Sequence, residues 1–108
     1  MIQLCRLING VAMSTYIVAQ INIHNRKRYA DYEAGFGAVF AQFDGKMLAV
    51  DESPAVVEGH WPYTRTVIIE FPSAKAANAW YKSEAYQTIA AHRLNASVAN
   101  IVFVEGGP

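Results

Sequence analysis

The order of strand-like and helix-like segments, β-α-β-β-α-β, predicts an α+β domain. It should contain a four-stranded antiparallel sheet with helices on one face. Three observations carry this expectation. Residues 16–23 and 64–71 are rich in β-branched and aromatic side chains, as strands are. Residues 29–43 carry apolar side chains at helical spacing, and 74–96 read as a broken helical region. The chain of 108 residues fits one domain.

Each element can be justified in turn. Residues 16–23 form the first strand, and Asn25 can cap the helix that follows. Tyr29, Tyr32, Phe36, Val39, Phe40 and Phe43 make its apolar stripe. Gly35 and Gly37 weaken this helix by roughly 1 kcal/mol each relative to alanine. Arg26, Lys27 and Arg28 oppose the dipole at its start, so packing on the sheet must hold it. Asp44-Gly45 is a turn. Residues 46–51 are a short strand that Ser53-Pro54 interrupts and that 55–58 are expected to continue. Residues 59–63 are a loop carrying His60, Trp61 and Pro62, and 64–71 are the clearest strand. Ser73 caps a short alanine-rich helix over 74–81. Ser83 caps a second segment over 84–96, with Tyr86, Ile89, Ala90, Arg93 and Leu94 on one face. Residues 99–104 form the last strand. This is the ferredoxin-like arrangement, and right-handed crossovers put the first and third strands in the middle of the sheet.

Composition narrows the partners. Apolar residues make up 53% of the chain and charged residues 17%, so the domain has little polar surface with which to cover itself, which favours self-association. The formal net charge of zero offers no bulk attraction to nucleic acid or to a membrane surface. The lone cysteine, Cys5, permits no intrachain disulfide, and a reducing, cytoplasmic location is expected. Met13 directly precedes the first strand. Residues 1–12 read either as an N-terminal extension upstream of a start at Met13 or as an extra edge strand, and residues 13–108 as the domain. No Gly-rich phosphate loop occurs, and His24, His60 and His92 lack metal-site spacing, so neither a cofactor nor a metal is expected.

Alternation along the two central strands separates two faces. Ile17, Ala19, Ile21 and Ile23, with Val67, Ile69 and Phe71, should meet the helices. Tyr16, Val18, Gln20 and Asn22, with Thr66, Ile68 and Glu70, should face away. That second face is mixed: too apolar for open solvent and too polar for a closed core. It suits a sheet that packs on the sheet of a second copy, making a dimeric α+β barrel with a polar cavity between the sheets.

Several fragments together resemble the domain-of-unknown-function family 1330, within the dimeric α+β barrel superfamily. They are Tyr16-Ile17-Val18-Ala19-Gln20, Tyr29 with Tyr32, Gly45, Glu58-Gly59-His60-Trp61-Pro62, residues 67–72, Ala77 through Trp80-Tyr81, Ser83 with Tyr86, Arg93, and Val104-Glu105-Gly106. Asn25-Arg26 departs from the family's usual Asp-Pro before the first helix, and Gly35-Phe36-Gly37 from its usual helix. The resemblance implies the fold and a homodimer but no activity. Relatives in the wider superfamily include cofactor-free monooxygenases, haem-degrading enzymes, lactone isomerases and ligand-sensing domains. The family pattern marks Arg93 and not its neighbour His92.

The candidate chemistry rests on a few side chains. Glu70, on a desolvated strand, is the candidate acid or base, and Arg65 is a second candidate catalytic residue. Gln20, Asn22, Tyr32, Glu58, Trp61 and Arg93 are candidate binding residues for a small anionic or aromatic molecule. Arginine suits such a ligand because its planar fork clamps a carboxylate. The competing expectation is that the charges pair internally, Glu70 with Arg93 or Glu58 with Arg65, in a non-catalytic sensing or association module.

Overall fold

The computed structural model describes residues 13–106. Its elements are β1 (Thr15–Ile23), α1 (Arg26–Phe40), β2 (Lys46–Asp51), β3 (Arg65–Phe71), α2 (Ala74–Tyr81), α3 (Glu84–Ala96) and β4 (Ser97–Glu105). The strands form one antiparallel sheet in the order β2-β3-β1-β4, so β1 and β3 lie in the middle as the ferredoxin-like reading requires. The N-terminal extension read from residues 1–12 lies outside the described residues. Among the described residues no helix is long and apolar enough to cross a membrane.

Local chemistry sets the helix starts. The Asn25 side chain accepts from the Arg28 N–H at 3.0 Å, Ser73 Oγ from the Ala76 N–H at 3.1 Å, and Ser83 Oγ from the Tyr86 N–H at 3.0 Å. Each bond satisfies a donor that the first helical turn leaves open. The broken helical region is thus two helices, divided at Lys82 and Ser83.

The core lies between the helices and one face of the sheet. Ile17, Ala19, Ile21 and Ile23 of β1 and Ile69 and Phe71 of β3 are buried there with Tyr29, Tyr32, Ala77, Trp80, Tyr86, Ala90 and Ala96. Trp80 gathers the rings: Tyr86 lies 4.2 Å away centroid to centroid, Phe71 5.6 Å, Phe40 5.8 Å and Phe36 6.1 Å. Such edge-on and tilted pairs hold more tightly than their buried area alone accounts for. The strand alternation is as expected, with Tyr16, Val18, Gln20 and Asn22 on the far side.

Two expectations need correction. Residues 55–58 do not continue β2. The Ser53 N–H donates to Asp51 Oδ1 at 2.8 Å, which turns the chain at the end of the strand and leaves Val57 92% exposed. Leu94 is not on the inner face of α3, because burial there follows Tyr86, Ala90 and Arg93. Leu94 sits one residue, about 100°, round from Arg93 and points outward. On the outer edge of the sheet, the pairing of β2 with β3 shifts between Met47 and Ala49, a bulge in the strand.

The two helices that cover the centre of the sheet approach closely at Gly35. A Cβ there would lie 2.8 Å from Ile89 Cγ2, whose β-branched side chain has little rotameric freedom. At Gly37 a Cβ meets nothing within 4 Å. Gly35→Ala should therefore destabilise by about 1–3 kcal/mol through overpacking, whereas Gly37→Ala should stabilise by about 0.5–1 kcal/mol through helix propensity. Urea denaturation of the two variants reads both signs.

Candidate functional site

Between the sheet and the helices lies a cavity of about 160 Å³. Ile17, Ile21, Val67 and Ile69 supply its sheet wall; Tyr32, Phe36, Trp80 and Tyr86 supply its helix wall. Met47 and Val50 of the edge strand line it too. An apolar cavity of roughly 150 Å³ can hold a benzene ring. The space therefore suits a compact organic molecule, and the walls are mostly hydrocarbon.

Arg93 breaks that pattern. Its position in the last turn of α3 turns it inward, and it is only 4% exposed. It lines the cavity, and among the described residues no carboxylate pairs with it. Its Nε–H has no hydrogen-bond partner. Burial opposes its charge, but the neighbouring Tyr86 and then Tyr32 and Tyr81 raise the guanidinium above its ordinary value, so Arg93 is a cation. Its guanidinium carbon stands 5.9 Å from the centroid of the Tyr32 ring, a cation–π distance. The C-terminal end of α3 also favours positive charge. Tyr32 and Tyr86 share a hydrogen bond between their hydroxyls at 2.9 Å. An arginine and two phenols thus form a polar cluster on an apolar wall.

Arg65 lines the same cavity nearer to solvent. It lies 2.8 Å from Glu52 and 3.4 Å from Glu33, and its guanidinium stands 5.7 Å from the Tyr29 ring centroid. Arg26 shares Glu52 at 2.9 Å. Hydrogen bonds from Arg26 and then Arg65 hold the Glu52 carboxyl below its ordinary range. These pairs tie α1, β3 and the loop after β2 together beside the cavity.

The residues singled out from sequence divide between the two sides of the sheet. Tyr32, Arg65 and Arg93 come together around the cavity. Gln20, Asn22 and Glu70 lie on the opposite face. Glu70 there accepts a hydrogen bond from Ser14 Oγ at 2.7 Å and pairs across the strands with Tyr16 and Lys46. Trp61 donates its indole N–H to Thr66 Oγ1 at 3.0 Å and so is fastened to that same face, with Tyr63 edge-on at 5.4 Å. Glu58 is exposed in the loop. Internal pairing of Glu70 with Arg93 or of Glu58 with Arg65 does not occur. Glu70 and Arg93 are on opposite sides of the sheet, and Glu33 and Glu52 take Arg65 instead. Trp80, Glu33 and Glu52 belong to the cavity or its rim although sequence reasoning gave them no functional role. Glu33 could have been found, because it lies four residues after Tyr29 and so on the same side of α1. Among the described residues no group of three or more His, Cys, Asp or Glu could hold a metal ion.

The family model for the domain of unknown function DUF1330 matches residues 14–107. The chain belongs to this family. Solved structures of similar fold surround the DUF1330 domain. A protein of unknown function from Rhodopseudomonas palustris superposes with a TM-score of 0.70 at 18% identity, covering 90% of this chain and 83% of its own. A dimeric ferredoxin-like protein of unknown function from Thermobifida fusca gives 0.64 at 12% identity, covering 90% and 92%. SnoaB, a cofactor-independent oxygenase from Streptomyces nogalater, gives 0.59 at 15% identity, covering 86% and 92%. At these identities the likeness is one of fold. No curated protein matches the chain.

Burial, followed by the neighbouring Tyr86, pushes the Tyr32 phenol far above its ordinary value near 10. Burial raises Tyr29 as well, against the pull of Arg65. A raised phenol pKa contributes stability that is complete below about pH 10. It is lost as pH climbs further, because the unfolded chain releases a proton that the folded one keeps. Stability should hold up to about pH 10 and then fall. Tyr32→Phe should flatten the alkaline slope by about 1.4 kcal/mol per pH unit, as measured by urea denaturation across the range.

Proposed function

We propose that the protein binds a small organic anion, a carboxylate on a ring or short chain, in the cavity between helices and sheet, and that it does so as a homodimer. One observation carries the binding half: Arg93 is a buried cation with no anionic partner among the described residues and an unpaired N–H, set in the wall of an apolar cavity. An isolated buried charge is costly, and an incoming carboxylate supplies the missing partner through a charge-assisted pair. Tyr32 and Tyr86, as neutral phenols, can add a hydrogen bond. The hydrocarbon walls then select for the organic part.

The dimer half rests on the other face. Val98, Val102 and Val104 of β4 and Leu48 of β2 are exposed beside Val18 and Ile68 at the sheet's centre, with Val98 68% and Val102 53% open. A second copy's sheet is the occupant proposed for this apolar strip. The Thermobifida fusca neighbour, described as dimeric, supports that choice. In such a dimer Glu70, Gln20 and Asn22 line the contact between sheets. Glu70 acts there as a polar anchor, not as an acid or base on a molecule bound across the sheet.

A cofactor-independent reaction on the bound acid is the second reading. The fold shared with SnoaB, described as a cofactor-independent oxygenase, favours it. Its test is turnover of a bound acid with no added cofactor.

Arg93→Met decides the binding reading. Benzoate and small aliphatic acids should bind the native protein in calorimetric titrations and should bind the variant at least about tenfold more weakly. The empty variant should be as stable as the native protein or more so, since it no longer buries an unpaired charge. Unchanged binding, or a large loss of stability without ligand, contradicts the proposal. Sedimentation of Val102→Asp should show a monomer, and Glu70→Gln should loosen the dimer while leaving acid binding intact.

A further inference from the structure

We infer that Trp80 supplies a second polar contact in the Arg93 cavity, so that the ligand is an acid that also carries a carbonyl or comparable acceptor oxygen. This deepens the proposed anion-binding role and rests on it.

The inference starts from unsatisfied donors. Among the described residues, the buried side-chain nitrogens and oxygens without a hydrogen-bond partner are Arg93 Nε and Trp80 Nε1. They sit on different helices, α3 and α2, yet both residues line the one cavity. Each is a donor and cannot accept. Trp80 is 3% exposed, so solvent does not reach its N–H.

Among the described residues no acceptor reaches the indole N–H. Phe36, Phe40 and Phe71 pack around the indole and carry none. The Tyr86 ring lies 4.2 Å away and the Tyr81 ring 6.2 Å, yet the Tyr86 hydroxyl bonds to Tyr32 and neither hydroxyl takes the indole N–H. A tryptophan that only packs gains nothing from its N–H, and leaving that N–H unanswered is costly. One that buries an unanswered N–H beside a cavity is matched by a ligand that answers it. The cationic Arg93 takes the carboxylate, because a guanidinium fork matches it. The neutral indole N–H, a single weaker donor, takes one oxygen elsewhere on the molecule. The class is therefore an oxo- or carbonyl-bearing organic acid about the size of a substituted benzene ring.

The test compares benzoate with its three formyl isomers, whose carbonyl only accepts. Each is titrated by calorimetry into three proteins: the native chain, Arg93→Met, and a chain with benzothienylalanine incorporated at position 80 in place of Trp80. That residue keeps the indole's shape and lacks the N–H. At least one formylbenzoate should bind the native chain about tenfold tighter than benzoate. That advantage should vanish in the protein lacking the N–H, with the affinity for benzoate unchanged. If no isomer exceeds benzoate, or the advantage survives loss of the N–H, the inference is overturned while the anion site stands. If no acid binds the native chain, or Arg93→Met binds all of them equally well, the anion site itself fails and this inference with it.

Discussion

The architecture depends on a sheet that, among the described residues, is covered on one side only. With three helices laid on one face, every strand must send alternate side chains into two different environments. In β1 this is explicit. Ile17, Ala19, Ile21 and Ile23 are buried beneath the helices, whereas Gln20 and Asn22 of the same strand face away. Each face then has its own problem. The inner one must be filled, and filling it with rings as large as Trp80, Tyr32 and Tyr86 leaves a gap beneath them. The outer one must be shielded, because valines along β4 are left open.

Into that inner gap the fold places a charge. Moving a guanidinium out of water costs several kcal/mol even after relaxation. The remedies visible around Arg93 are modest: an aromatic face, a phenol and the favourable end of a helix. None of them is a counter-ion. Arg65 shows the contrast within the same cavity, since two carboxylates neutralise it where solvent is nearer. One arginine is structurally complete and the other is not, and the incomplete one is the deeper.

Much of this was legible in the sequence, for reasons that can be named. Strand composition, the three polar caps and the alternation of β1 and β3 are local signals, and they gave the element order and the two faces. Arg93 and Tyr32 were singled out for binding, and the structure brings both to one cavity that the sequence did not foretell. Parity held the clue. Arg65 shares the odd positions of Val67, Ile69 and Phe71, and so lies on the helix side, away from Glu70. Trp80 was hidden because an indole in an apolar helix reads as core, and only coordinates reveal an unanswered N–H. Glu52 reaches Arg65 from the loop after β2, which no local spacing can foretell. Leu94 misled because its hydrophobicity suggested burial, while the helical angle of α3 had already been fixed by Tyr86, Ala90 and Arg93.

The two rims of the sheet are unlike. On the β2 side the slip between Met47 and Ala49 spoils the row of backbone donors and acceptors that a foreign strand would need. On the β4 side the row runs from Ser97 to Glu105 in unbroken register with β1. A sheet with one serviceable rim cannot propagate. Any edge-to-edge contact made through β4 would leave only blemished β2 rims at both ends, so growth along the sheet would stop there and not run on into fibrils, and the apolar face would stay free for the second copy proposed above.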